Sequence, residues 1–190
     1  MWLIDHQMNQ KVSEAFGEYF VRIPLRKSAT ILHGNSLRID WQSLLPEGKQ
    51  YNYILGNPPF LGKQYQSSSQ KEDMAIIFAG VNGAGVLDYV TAWYLLAAKY
   101  LNTYNYGRIK TKCAFVSTNS ISQGEQTGVL WSELFNKYHI KIHFAHSTFK
   151  WSNEAKGNAA VHVVIIGFSN FDITTKHLFV YDSNQNDPIP

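Results

Sequence analysis

The stretch Tyr-Asn-Tyr-Ile-Leu-Gly-Asn-Pro-Pro-Phe, residues 51–60, carries the pattern that best indicates the fold of this chain. Its first five residues are mostly aromatic or apolar, which is typical of a β-strand, and Gly56 ends that run. Each proline fixes its own φ and biases the residue before it away from the helical region, so the last four residues form a stiff loop. The loop holds the amide of Asn57 beside the ring of Phe60, a pair that suits a planar, amino-bearing substrate. The alternative is a Pro-Pro loop with no chemistry.

Strand-like and helix-like segments alternate on both sides of this loop. Strands are predicted over residues 29–33, 51–55, 112–117, 140–144 and 161–168, and helices over residues 86–101 and 128–138. This alternation predicts an α/β fold with a mostly parallel sheet and helices on both of its faces. Residues 62–85, rich in Ser, Gln and Gly, are predicted to form a long loop or lid. Ligands of such sheets lie outside the carboxyl ends of the strands, which is where Asn57 is expected.

Composition limits the class of protein and its partners. The chain has 190 residues, 45% of them hydrophobic and 14% aromatic, which indicates one globular domain with a buried core. Its net charge of +3 is compatible with a nucleic-acid partner without demonstrating one. Cys113, the one cysteine, lies in an apolar run, so we expect no disulfide framework and a cytoplasmic location. No segment is apolar for long enough to span a membrane, and the seven histidines lack metal-ligand spacing, so neither a membrane partner nor a metal site is predicted.

Residues 57–60, Asn-Pro-Pro-Phe, resemble the catalytic motif of the amino-methylating S-adenosylmethionine-dependent methyltransferases, whose best-known members methylate N6 of adenine in DNA. The resemblance implies that the side-chain oxygen of Asn57 and the backbone carbonyl of Pro58 accept hydrogen bonds from the target amino group, while Phe60 stacks on the extruded base. Two acceptors favour a pyramidal nitrogen with a localised lone pair and stabilise charge as it develops. Methyl transfer from a sulfonium otherwise needs mainly an in-line approach.

Two further segments resemble parts of the cofactor site of these enzymes. Residues 34–37, Gly-Asn-Ser-Leu, are similar to the turn that contacts the adenine ring of S-adenosylmethionine, which implies this role for Asn35. Many relatives carry Asp there, but an amide still offers both a donor and an acceptor. Residues 88–93 resemble the helix start whose aromatic covers the cofactor adenine, which implies cofactor roles for Asp88 and Trp93. The alternatives are an ordinary turn residue at Asn35 and an ordinary core aromatic at Trp93.

Residues 148–168 resemble the MmeI-like methylase modules of combined restriction–modification enzymes. In adenine-methylating enzymes an aromatic just before the last hairpin strand forms the second wall of the base pocket. The resemblance implies this role for Phe149, with Trp151 next in line. Extruding a base costs a few kcal/mol, and stacking returns about 1–3 kcal/mol per base, so Phe60 and Phe149 together would roughly offset extrusion. The alternative is a hairpin that is merely stabilised by its aromatic residues.

The glycine-rich turn that holds the methionine part of the cofactor in this family is not found, because no Gly-x-Gly precedes Gly34. The resemblance therefore implies a Rossmann-like class I methyltransferase fold that is incomplete at the N-terminus and ends in an antiparallel hairpin. Residues 1–170 would form a partial catalytic domain, and residues 171–190 a tail leading to an absent recognition domain. We expect the missing parts of the same enzyme upstream and downstream. Alone, the chain is expected to bind S-adenosylmethionine poorly and to transfer little methyl group.

Three functional interpretations remain open. The favoured one is the catalytic portion of an adenine-N6 DNA methyltransferase of a restriction–modification system, which uses S-adenosylmethionine and binds DNA with a flipped adenine. The second keeps the chemistry but changes the acceptor to guanine N2 of ribosomal RNA or to a protein glutamine. The third is a non-catalytic remnant that binds nucleic acid. It predicts salt-sensitive DNA binding that is indifferent to S-adenosylmethionine and to Asn57→Ala.

Overall fold

The computed structural model describes residues 2–17, 29–107, 109–151 and 161–181, and the chain divides into two compact units at residues 1–33 and 34–190. The first unit contains helix α1, Trp2–Phe16. The strand predicted over residues 29–33 is wrong, since these residues form no regular element and Ile31 is 89% exposed. A short apolar run becomes a strand only where a neighbouring strand pairs with it, and none of the described strands pairs with this one.

The second unit contains five strands and three α-helices among its described residues. In chain order they are β1 (Tyr53–Gly56), α2 (Ser68–Ile77), α3 (Thr91–Tyr104), β2 (Lys112–Thr118), α4 (Glu125–Ser132), β3 (Lys141–Trp151), β4 (Val161–Ser169) and β5 (His177–Phe179). Four of the predicted strands are therefore confirmed with shifted ends. The helix predicted over residues 128–138 is α4 followed by a π-helical turn, Glu133–Lys137. Within the described residues, no helix is both long enough and apolar enough to cross a membrane.

The five strands form one mixed sheet in the order β1-β2-β4-β3-β5. β1 runs parallel to β2, and β3 runs parallel to β5, whereas β4 is antiparallel to both β2 and β3. The antiparallel hairpin predicted near the end of the domain is confirmed. Among the described strands β1, β2, β3 and β5 point in one direction, which agrees with the predicted mostly parallel sheet. β4 is the reversed strand of the hairpin, and both of its pairings are antiparallel because it inserts between β2 and β3.

The core lies on the sheet face that carries the side chains of Cys113, Phe115 and Ser117. Tyr94 of α3 is fully buried on this face, where its ring stacks on Phe168 at 5.4 Å and meets the edge of Phe115 at 5.2 Å. The indole of Trp131 of α4 lies 5.8 Å from the same tyrosine ring. Helices α3 and α4 therefore cover the same face of the sheet.

The opposite face of the sheet is largely bare at β1. Because side chains alternate along a strand, Tyr53 and Leu55 point away from the face that carries Ile54 and Phe115. These two side chains are 64% and 72% exposed. The prediction of helices on both faces is therefore not met at β1 by the residues that the structure describes.

The long loop predicted over residues 62–85 is wrong in its middle, because helix α2 lies there. A capping box begins this helix: the hydroxyl of Ser67 accepts a hydrogen bond from the backbone N–H of Gln70, and the Gln70 side chain accepts one from the N–H of Ser67. Met74 and Ile77 bury the inner face of α2. The Ser-x-x-Gln spacing before an apolar run is the sequence signal that would have identified the helix.

The helix predicted to begin at residue 86 begins at Thr91 instead. Residues Ala84–Val86 form a short 3₁₀ turn, and Leu87 is extended. The backbone carbonyl of Asp88 accepts a hydrogen bond from the hydroxyl of Thr91, while its side chain turns to other segments of the chain. Residues 84–90 therefore form the connection that leads into α3, and the apolar residues among them do not belong to the helix.

Candidate active site

The Asn-Pro-Pro-Phe loop leaves the sheet at the carboxyl end of β1, as the sequence predicts. Asn57 is exposed, Pro58 is buried and Phe60 is half-buried. The amide of Asn57 makes no hydrogen bond with any part of the chain that the structure describes, so its oxygen and nitrogen are available to a ligand. A Cβ at Gly56 would lie 3.1 Å from the ring of Phe115, so a residue without a side chain lets the loop leave the sheet over that ring.

The chain after the loop is fixed by the connection before α3. The backbone N–H of Tyr89 donates to the carbonyl of Leu61 at 2.9 Å, and the N–H of Lys63 donates to Oδ1 of Asp88 at 3.0 Å. Both bonds join segments that are distant in the sequence. They hold the downstream end of the Asn-Pro-Pro-Phe loop against the start of α3, so Asn57 is presented from a loop that is anchored at both ends.

Asp88, predicted to contact the cofactor, joins three segments of the chain that are separate in sequence. Its Oδ1 accepts from the N–H of Lys63, and its Oδ2 accepts from the hydroxyl of Ser120 at 2.7 Å and from Nε2 of Gln126 at 3.0 Å. The side-chain Oε1 of Gln126 also accepts from the backbone N–H of Asp88 at 3.2 Å. Both carboxylate oxygens are thus engaged within the protein, and a cofactor contact by Asp88 stays a prediction. Sequence analysis missed Lys63 and Gln126, whose partners lie at least 25 positions away.

Asn35, the other polar cofactor candidate, closes its own turn. Its Oδ1 accepts from the backbone N–H of Leu37 at 3.0 Å, and its Nδ2 donates to Oδ2 of Asp73 at 2.9 Å. This geometry supports the alternative that Asn35 is a turn residue, since an Asn side chain that bonds two residues ahead stabilises a turn. One N–H of Nδ2 remains for a ligand. The cofactor role of Asn35 stays a prediction.

Trp93, the aromatic cofactor candidate, lies beside the same turn. Its indole Nε1–H donates to the hydroxyl of Ser36 at 3.1 Å, and its ring meets Tyr89 edge-on at 5.2 Å between centroids. The ring is half-buried and packs partly against the core. The structure thus brings Trp93 next to Asn35, because the indole bonds to the neighbouring residue, Ser36. The cofactor role of Trp93 stays a prediction.

A buried carboxylate that sequence analysis missed lies behind this pair. Asp73 of α2 is 2% exposed and accepts hydrogen bonds from the hydroxyl of Tyr89 and from Nε of Arg38, both at 2.6 Å. Burial alone would raise the pKa of Asp73, but the bonds from Tyr89, Arg38 and Asn35 and the charge of Arg38 lower it overall. Burial and the bond to Asp73 raise the pKa of Tyr89. The carboxylate is therefore held ionised, and the phenol is held protonated.

Phe149 and Trp151, predicted to stack on a target base, lie near the end of β3. Phe149 is half-buried and pairs with Val163 of β4, and its ring lies 4.6 Å from that of Tyr181. The register of β3 against β4 shifts between His146 and Phe149, and such an irregularity changes the direction in which the following side chains point. The side chain of Trp151 is outside the described residues. The stacking roles of both residues stay predictions.

Residues after β4, predicted to form a tail from residue 171, contribute β5 to the sheet beside β3. In this region His146 stacks on Phe179 at 4.5 Å, and its Nδ1 is 2.7 Å from the hydroxyl of Tyr181. Burial lowers the pKa of His146, so the neutral ring is favoured. The domain boundary at residue 170 stays a prediction.

The mixed α/β fold, with an Asn-Pro-Pro-Phe loop at the carboxyl end of its first strand, is that of a methyltransferase domain. More specifically, the chain belongs to the family of the MmeI DNA-methyltransferase domain, whose family model matches residues 1–180. This membership confirms the resemblance to MmeI-like methylase modules.

Two relatives show the extent of the likeness. DNA methyltransferase A of Bacillus subtilis (strain 168) is 43% identical over 188 residues, which is 97% of this chain and 21% of that protein. The solved structure of the Type IIL restriction-modification enzyme MmeI in complex with DNA is 50% identical, with a TM-score of 0.83, over 99% of this chain and 24% of that chain. The chain thus spans less than a quarter of the length of either relative.

Proposed function

We propose that this chain forms the catalytic portion of a DNA methyltransferase of a restriction–modification system, which transfers a methyl group from S-adenosylmethionine to N6 of adenine. The observation that carries this proposal is the exposed amide of Asn57, which makes no hydrogen bond within the described part of the chain and lies in the stiff loop at the end of β1, next to the half-buried ring of Phe60. Family membership supports the reaction class. Adenine as the acceptor rests on the Asn-Pro-Pro-Phe motif and on the aromatic residues of β3.

The chemistry assigned to the loop is positioning and charge stabilisation. The Oδ1 of Asn57 and the carbonyl of Pro58 accept hydrogen bonds from the two N–H groups of the target amine, which localises the nitrogen lone pair. Phe60 stacks on the base and fixes its plane. The bonds from the N–H of Tyr89 to Leu61 and from the N–H of Lys63 to Asp88 hold the downstream end of the loop, which lowers the reorganisation that its backbone needs during the reaction.

The residues present fit the adenine end of S-adenosylmethionine, which supplies the methyl group from its sulfonium when bound. Trp93 offers a half-buried aromatic face, and Asn35 keeps one free N–H beside it. For the methionine end, the sequence has no Gly-x-Gly before Gly34. Weak binding of the cofactor by this chain alone stays an expectation.

DNA with a flipped adenine is the proposed partner. The MmeI structure with 50% identity to this chain contains DNA, which supports a nucleic-acid partner here. Phe149 and Trp151 would form the second wall of the base pocket, opposite Phe60. The hairpin of β3 and β4 carries this wall, and Tyr181 packs against Phe149 and would restrict the orientation of its ring.

A chimera tests this function directly, because the chain alone is expected to transfer little methyl group. The matching segment of MmeI would be replaced by this chain, and methyl transfer to DNA followed with labelled S-adenosylmethionine and nucleoside analysis. We expect N6-methyladenine as the product, and a loss of about 100- to 1,000-fold in turnover with Asn57→Ala. Asn52→Ala, an exposed amide before β1, is the matched control and should leave turnover unchanged.

Three results would contradict the proposal. A product methylated on guanine N2 of RNA or on protein glutamine would place the chemistry on another acceptor. Salt-sensitive DNA binding that ignores both S-adenosylmethionine and Asn57→Ala, without transfer, would favour a non-catalytic remnant. Turnover by the chimera that Asn57→Ala leaves unchanged would contradict the role assigned to this amide.

A further inference from the structure

The Asp73 carboxylate is the meeting point of three chain segments. It lies on α2, is 2% exposed, and is reached by Asn35 and Arg38 from the turn after residue 34 and by Tyr89 from the connection before α3. Its partners lie 16 to 38 positions away in the sequence, so all three bonds are tertiary. A buried carboxylate requires such donors, because an unpaired charge in the interior is strongly unfavourable.

These bonds close a ring of contacts around the two residues assigned to the cofactor adenine. From Asp73 the ring passes to Asn35, then along the backbone to Ser36, whose hydroxyl accepts from the indole of Trp93. The edge of Trp93 meets Tyr89, and the hydroxyl of Tyr89 returns to Asp73. Each member of the ring is therefore held on two sides.

Arg38 pairs with two carboxylates, and only that of Asp73 is buried. Arg38 donates from Nε to Asp73 at 2.6 Å and from a terminal nitrogen to Glu72 at 2.9 Å. The glutamate side chain is 63% exposed, whereas that of Asp73 is 2% exposed. The pair of Arg38 with Glu72 is screened by solvent and contributes little to stability. The bond of Arg38 to the buried Asp73 carboxylate fixes the position of the turn at residues 35–38.

We propose that Asp73 is a positioning residue that holds the turn at residues 35–38 and the ring of Trp93 in the arrangement that receives the adenine part of the cofactor. This rests on the proposed function, which assigns that contact to Asn35 and Trp93. It adds a residue from helix α2, to which the proposed function assigns no contact with the cofactor or the target base. Because α2 follows the Asn-Pro-Pro-Phe loop in the chain, the same helix links the catalytic loop to the cofactor turn.

The test compares Asp73→Asn with Glu72→Gln. Both remove a carboxylate partner of Arg38, but only Asp73→Asn removes acceptor capacity from the buried ring. The first readout is amide hydrogen exchange, and the second is the NMR signal of the Trp93 indole N–H. For Asp73→Asn we expect exchange at residues 35–38 to accelerate about tenfold or more, with a shifted indole signal, while β2 and β4 stay protected. Glu72→Gln should change neither readout.

A milder variant keeps the test decisive if Asp73→Asn does not fold. Tyr89→Phe removes one donor to Asp73 and keeps the ring against Trp93. It should loosen the same turn to a smaller degree. Equal acceleration of amide exchange in the turn and in β2 would show that Asp73 only stabilises the fold. Unchanged exchange in the turn would show that Asp73 does not position it. Either result overturns the proposal.

A cofactor measurement separates this proposal from the proposed function. In the MmeI chimera, Asp73→Asn should raise the KM for S-adenosylmethionine about tenfold while kcat for bound cofactor changes little. A loosened turn with unchanged KM would overturn the positioning role. Failure of the wild-type chimera to use S-adenosylmethionine would instead contradict the proposed function, and hydrogen exchange at residues 35–38 would then decide the role of Asp73 by itself.

Discussion

Asn57 and Asp73 show opposite uses of a polar side chain within one site. Asn57 is exposed and makes no hydrogen bond with the described residues, whereas Asp73 is buried and accepts three. The place of Asn57 in a loop at the end of β1 could be predicted from sequence, because the prolines beside it fix a local structure that depends on neighbours only. The contacts of Asp73 could not be predicted, because its partners are brought together by the fold, and nothing in the local sequence around Asp73 specifies them.

The predicted cofactor residues illustrate the same limit. Sequence analysis placed Asn35 and Trp93 near one another by resemblance, and the structure joins them through Ser36. Sequence analysis did not predict that the side chains of Asn35 and Asp88 form most of their hydrogen bonds with other residues of the chain. Whether a polar side chain faces a ligand or the chain itself depends on tertiary contacts, which a motif does not contain.

At the residue scale, Asp73 should make stability depend on pH. Its pKa is lowered in the folded protein below the ordinary value of 3.8, so the unfolded chain binds its proton first as the pH falls. Asp73 therefore stabilises the fold fully above its unfolded pKa, and this stabilisation is lost as the pH falls towards the folded pKa. Urea unfolding from about pH 6 to about pH 3 should show a steeper loss of stability for the wild type than for Asp73→Asn. Parallel curves would contradict this assignment.

The elements show which sequence patterns are reliable. The strands of the sheet were predicted because aromatic and branched residues cluster in short runs bounded by glycine or polar residues, as in residues 51–56. Helix α2 was missed because its first half is Ser-Ser-Gln-Lys-Glu, a composition that also suits a loop. The predicted strand directions agree with the structure, but alternation of strands and helices does not show where a hairpin strand inserts, so the position of β4 between β2 and β3 was not predicted.

The N-terminal cap of α2 gives a prediction at the scale of the element. Ser67→Ala removes the acceptor for the N–H of Gln70 and should destabilise the protein by about 1 kcal/mol. Ser69→Ala is the matched control, since Ser69 is exposed inside the same helix and alanine has the higher helix propensity. Urea unfolding would measure both variants. Equal stabilities for the two would show that the capping box does not stabilise α2.

At the scale of the whole molecule, β1 lies at the end of the sheet with an apolar outer face. Tyr53 and Leu55 are 64% and 72% exposed, and within the described residues β1 pairs on one side only. An exposed apolar edge strand is a site for pairing with another chain. We expect concentration-dependent self-association, which Leu55→Lys should reduce and light scattering after gel filtration should detect.

A second exposed apolar residue provides the control for this effect. Ile76 is 55% exposed and lies on helix α2, not on a strand. Ile76→Lys removes a similar apolar surface but leaves the edge of β1 unchanged. If it reduced self-association as much as Leu55→Lys does, general surface hydrophobicity rather than strand pairing would explain the association.

The burial of Cys113 in β2 provides an internal probe of opening. It is the one cysteine of the chain, it is 2% exposed, and burial raises the pKa of its thiol. A thiol reagent should therefore modify the native protein very slowly and the urea-unfolded protein at once, with no engineered label. The native rate would report how often the centre of the sheet opens to solvent, and rapid modification without denaturant would contradict the packing described for β2. A preparation of this protein should consequently keep its cysteine reduced during storage for as long as the sheet stays closed.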